Sequence, residues 1–127
     1  MFRFFVLTSI FLLLSCSKAY NLTDRSGNTF VIEGPELDTN RDMEYRAGDA
    51  ITKLAVTDIV SLSIPNADPQ IFDGRVFYPA TLKLEDTVAV PANGFICVEG
   101  NINAENAGGK FSIPLANVKE LNRKEGD

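Results

Sequence analysis

An all-β domain, a small barrel or a sandwich, is the fold class this sequence predicts, on three observations. Short runs of β-branched, aromatic and apolar residues recur at Phe30-Val31-Ile32, Val76-Phe77-Tyr78, Val88-Ala89-Val90 and Phe95-Ile96-Cys97-Val98, each of strand length. Ser26-Gly27-Asn28, Asp73-Gly74, Asn93-Gly94 and Asn106-Ala107-Gly108-Gly109 read as turns, because Gly and Asn accept the positive φ of tight hairpins. Pro35, Pro65, Pro69, Pro79, Pro91 and Pro114 are spread along the chain, and no stretch after the first 14 residues keeps helical apolar spacing.

The N-terminal segment stands apart from this pattern. Arg3 supplies one positive charge, and Phe4 to Leu14 is apolar except for Thr8 and Ser9, which matches the n-region and h-region of an export signal. A spanning helix needs about 20 predominantly apolar residues. Polar chain begins at Ser17, Lys18 and Asn21, so the run reads as an address and not an anchor. The end of the run, Leu13-Leu14-Ser15-Cys16, resembles the lipobox of bacterial lipoproteins. That resemblance implies cleavage before Cys16, a diacylglyceryl group on its thiol and often a further palmitate-type chain on the new amine. Two or three acyl chains anchor a protein stably, where one is marginal. Family sorting rules imply the outer membrane, since Ser17 follows the cysteine where an inner-membrane protein carries Asp. The chain therefore divides into a signal peptide (1–15), a lipidated tether (16–23) and a β domain (24–127). Asn21-Leu22-Thr23 matches the N-glycosylation pattern, which matters only on a eukaryotic secretory route.

Within the β domain two segments share a pattern. From Ile51 to Ile64, Leu54 and Val56 alternate, Ile59 breaks parity, and Leu62 and Ile64 alternate again. From Phe111 to Leu121, Phe111, Ile113 and Leu115 alternate, Val118 breaks parity, and Leu121 restores it. Side chains of an unbroken strand alternate faces with period two, so each segment reads as strand, single turn, strand. At an offset of 59, Leu54, Val56, Asp58, Ile59 and Leu62 fall on Ile113, Leu115, Asn117, Val118 and Leu121. At an offset of 47, Gly27, Phe30 and Leu37 fall on Gly74, Phe77 and Leu84. These matches give two repeat units, 24–64 and 72–123, the second with a 12-residue insertion in the hairpin region 87–109. Residues 65–69 connect them. The strand-turn-strand ending resembles the close of SH3-like and Sm-like small barrels, which implies two duplicated units sharing a core as one barrel, two barrels or a sandwich.

Composition limits function. Removing 15 of 127 residues leaves 112, one small domain. Those residues carry 11 basic and 17 acidic side chains, a net charge of −6 that repels phosphate backbones and anionic headgroups. Sm-like barrels commonly bind RNA, but this charge and the export signal argue against nucleic acid. There is no histidine, which closes imidazole-based acid, base, nucleophilic and zinc chemistry. Cys16 and Cys97 are the two cysteines, so no disulfide framework follows from spacing.

Two clusters are candidate sites. Asp38, Asn40, Asp42, Glu44 and Asp49 place oxygens as in a twelve-residue calcium loop. Met43 replaces the glycine of the sharp turn, Asp49 replaces the bidentate Glu, and no flanking helices are predicted, so a solvated hairpin loop is the better reading and no metal is assigned. Glu33, Glu36, Glu85 and Asp86 have no feature that marks a paired-carboxylate hydrolase. Cys97 lies in an apolar run and reads as an inert core thiol. The expected protein is a non-catalytic lipoprotein without cofactor, bound to the cell envelope through lipid on Cys16. Its β domain serves as a structural or binding module for an envelope protein partner. The alternative is a soluble secreted β protein or a weak calcium binder.

Overall fold

The computed structural model describes residues 18–39, 42–85, 91 and 93–124. Cys16, Asn40, Asp86 and the 88–90 run fall outside the described residues. The protein is all-β. Among the described residues the strands are β1 (Ala19–Asp24), β2 (Thr29–Leu37), β3 (Met43–Ala47), β4 (Ala50–Leu54), β5 (Ile59–Ser63), β6 (Gln70–Phe72), β7 (Arg75–Leu84), β8 (Asn93–Cys97), β9 (Asn101–Asn106), β10 (Gly109–Pro114) and β11 (Val118–Arg123). Single 3-10 turns occupy Val56–Asp58 and Leu115–Asn117. They fall at the two parity breaks, where a turn lets Val56 and Ile59, or Leu115 and Val118, face the same interior. Among the described residues no helix is long and apolar enough to cross a membrane.

The strands form one antiparallel sheet in the order β10-β9-β2-β1-β11-β5-β7-β8-β3-β4, with β6 paired to β7 beside this path. The path has two free ends, β10 and β4, so the sheet is not closed into a barrel. It curls instead, since Ile113 at one margin and Leu54 at the other join a single hydrophobic cluster. Tyr20, Leu22, Ile32, Ile59, Leu62, Ile96, Ile102, Leu115, Val118 and Leu121 in that cluster are fully buried. One open sheet wraps one core, consistent with the small barrel or sandwich that the sequence predicts.

The order also reads alike from both sides of the central pair of β5 and β11. On one side lie β11, β1, β2, β9 and β10, and on the other β5, β7, β8, β3 and β4. Each half thus joins a hairpin from one part of the chain to the last three strands of the other part. Leu22 of β1 faces Leu121 of β11, and Leu82 of β7 faces Leu62 of β5 in the same way. This corrects the 47-residue offset, which sets β2 on β7. The β1-β2 and β6-β7 hairpins each turn at a positive-φ glycine, Gly27 or Gly74, and so look alike locally. In the sheet, however, β7 holds the place that β1 holds in the other half.

Two further expectations need correction. Residues 19–23 are no tether: they belong to β1, which is bonded to β2 and β11, with Tyr20 and Leu22 buried. Polar residues alternate with those two, which disguised a half-buried strand as linker. Asn93-Gly94 is no turn, since both lie in β8. Glycine is required there by close approach: a Cβ at Gly94 would collide with the Arg46 carbonyl and lie 2.8 Å from the Tyr45 ring.

Candidate functional site

A groove of about 540 Å³ lies between the end of β2 and the segment from β4 into the first 3-10 turn. Gly34 creates it. With φ +59 it forms a bulge where the β2-β9 register slips between Glu33 and Glu36, which bends the strand away from its neighbour. Pro35, Met43, Leu54 and Val56 give the groove an apolar wall, while exposed Glu36 and Asp42 make its rim acidic. A second depression of about 370 Å³ shares Leu37, Thr39, Asp42 and Met43 with it. Cys97 lines this part beside an ionic group in which Arg75 Nη1 meets Glu44 Oε2 at 2.6 Å and Arg75 Nε meets Glu99 Oε1 at 3.1 Å.

At the same end of the sheet stands a basic cluster. Lys18 Nζ donates to the Thr57 carbonyl at 3.1 Å and lies 3.2 Å from Glu85 Oε1. Arg123 Nη2 donates to the same carbonyl at 2.8 Å, and its Nη1 lies 3.3 Å from Glu85 Oε2. Hydrogen bonds from Arg123 and then Lys18 hold the Glu85 carboxylate below its ordinary range. Beneath them the Tyr20 hydroxyl donates to the Ile59 carbonyl at 2.9 Å, inside the core.

The described members of the calcium-loop pattern have other partners or lie apart. Asp38 accepts from the Asn101 backbone N–H at 2.8 Å and from its side-chain amide at 3.0 Å. Glu44 is engaged by Arg75, and Asp49 lies in the turn between β3 and β4, at the far end of β3 from Asp42. Among the described residues no three acidic or cysteine side chains gather as a metal cage. The carboxylates also stay apart: Glu85 is in the basic cluster, whereas Glu33 sits on the outer face, opposite Glu105. Cys97 is buried, and burial pushes its thiol up, away from the reactive thiolate. Asn21 lies within β1, between Val31 and Asn122.

Sequence reading missed both ionic groups. Their members are separated by 24 to 67 residues in the chain, and no local spacing marks such pairs. The positions of β1, β3, β7, β8 and β11 in the sheet bring them together. No family model matches this sequence, and no curated protein or solved structure shows significant similarity to it.

Proposed function

We propose that this protein is a lipid-anchored component of a bacterial cell envelope, with a non-catalytic β domain that works by contact. The observation that carries the reading is Leu13-Leu14-Ser15-Cys16 after an h-region, three residues before the first strand. A cleaved and acylated Cys16 would leave almost no free chain between lipid and domain. The site chemistry supports contact over catalysis. Shifted carboxylates are pushed down, as in Asp24 and Glu85, and the Cys97 thiol is pushed up, whereas a general acid or nucleophile needs the opposite displacements. The groove joins an apolar wall to an acidic rim, which suits an apolar segment flanked by basic residues on an envelope partner.

Membrane fractionation of bacterial cells expressing the full chain tests the reading. The protein should remain with membranes through high-salt and alkaline washes, and Cys16→Ala should appear in the soluble fraction or as uncleaved precursor. Release of the unaltered protein by salt alone would favour the soluble secreted alternative.

A further inference from the structure

Resting on the lipoprotein reading, we infer that the end of the sheet carrying Lys18, Arg123 and Lys124 lies against the lipid headgroups, which fixes the orientation of the domain on the membrane. Only Ser17 and Lys18 separate Cys16 from Ala19, the first residue of β1. An extended chain covers at most about 3.5 Å per residue, so the first strand begins within about 10 Å of the lipidated cysteine.

Lys18 cannot lengthen the tether by detaching at no cost. Its carbonyl accepts from the Gly34 N–H at 3.0 Å, and its ammonium caps Thr57. The Lys124 N–H donates to the Ala19 carbonyl at 2.9 Å, which brings the end of β11 to the same level. Glu33, Asp58, Glu85 and the groove-rim acids Glu36 and Asp42 stand at this end beside Lys18, Arg123 and Lys124, so the short link to Cys16, and not charge, sets the orientation. Because β1 spans six residues, Arg25 and Asn66 at its opposite end stand about 20 Å farther out. The groove opens at the membrane end, since Gly34 and Thr57 line it and both bond to Lys18. A partner entering it must therefore lie close to the bilayer.

The chain has no tryptophan, so a single introduced indole reports its own position. Lys124→Trp and Asn66→Trp would be made separately in the full chain, purified with lipid on Cys16 verified by mass. Each would be placed in phosphatidylethanolamine and phosphatidylglycerol vesicles with a nitroxide on part of the headgroups. Fluorescence at position 124 should fall at least twofold more than at position 66. Twelve Gly/Ser residues inserted after Ser17, which add a reach of about 20 Å, should abolish that difference. Equal quenching at both positions in lipidated protein would overturn the orientation and leave the anchor standing. So would quenching at position 124 that survives the insertion, because the indole's own affinity would then explain it. Absence of lipid on Cys16 would overturn the orientation and the lipoprotein reading together.

Discussion

The two 3-10 turns link equivalent strands in the two halves of the sheet, yet they are held by different means. At the first, the Thr57 carbonyl takes two cations, Lys18 and Arg123, which Glu85 bridges, and Tyr20 supports the following Ile59 carbonyl. At the second, Arg25 alone donates Nε to the Ala116 carbonyl and Nη1 to the Ile64 carbonyl, each at 3.0 Å, with its guanidinium 5.6 Å from the Tyr78 ring centre. Since β5 and β11 are antiparallel, these turns lie at opposite ends of the sheet. The same backbone device is thus tied by a side-chain network at the end near the proposed membrane, and at the other end by the side chain of Arg25 beside backbone bonds from the Leu115 N–H to Gly100 and the Arg25 N–H to Asn117. Redundancy should make the first end tolerant of single changes and the second sensitive.

The largest effects should not distinguish the halves, because both pack on one core. Leu62 and Leu121 face each other across β5 and β11 and are fully buried. Leu62→Ala and Leu121→Ala should each cost about 2–5 kcal/mol in urea unfolding. Their double variant should cost less than the sum, because the two truncations share one cavity. A much smaller cost for either would mean that the halves unfold separately.

Next in size come the caps. Arg25→Met removes the Arg25 donors from the Ala116 and Ile64 carbonyls at the second turn and should cost about 1–2 kcal/mol. Tyr20→Phe leaves the buried Ile59 carbonyl short of a donor and should cost about 1 kcal/mol. Lys18→Met leaves Arg123 on Thr57 and should change stability by less than about 0.5 kcal/mol. Hydrogen exchange at Val118 and Ile59 would show which turn opens in each variant. The smallest effect concerns pH. Glu85 titrates below its ordinary value in the folded protein, so its stabilisation is complete above the unfolded carboxylate pKa, about 4.3. It is lost as pH falls through the lower folded value. Glu85→Gln should therefore be slightly less stable than the parent at pH 7 and match it in the acid limb.

Legibility in the sequence followed the range of the interactions. The parity breaks at Ile59 and Val118 are local, and the 3-10 turns lie there. The Ser26-Gly27-Asn28 turn is also local: Asp24 Oδ1 accepts from the N–H groups of Ser26 and Asn28, both at 2.9 Å. Asn93-Gly94 carries the same letters as a hairpin turn, but contact with Tyr45, almost fifty residues away, makes it strand. The polar half of β1 resembled a tether because its inward residues, Tyr20 and Leu22, acquire their burial from β2 and β11. The exchange of strands between halves has no signature in the chain, since it depends on which hairpin meets which strand-turn-strand segment. The groove depends on the Gly34 bulge, and a lone glycine within a run of strand residues marks such a bend only in outline.

The intact mass of the mature protein from the membrane fraction, beside Cys16→Ala, tests the central claim most directly. The account predicts a chain beginning at Cys16 with two or three acyl groups, and a variant without them. A chain cleaved elsewhere, or carrying no lipid, would contradict it.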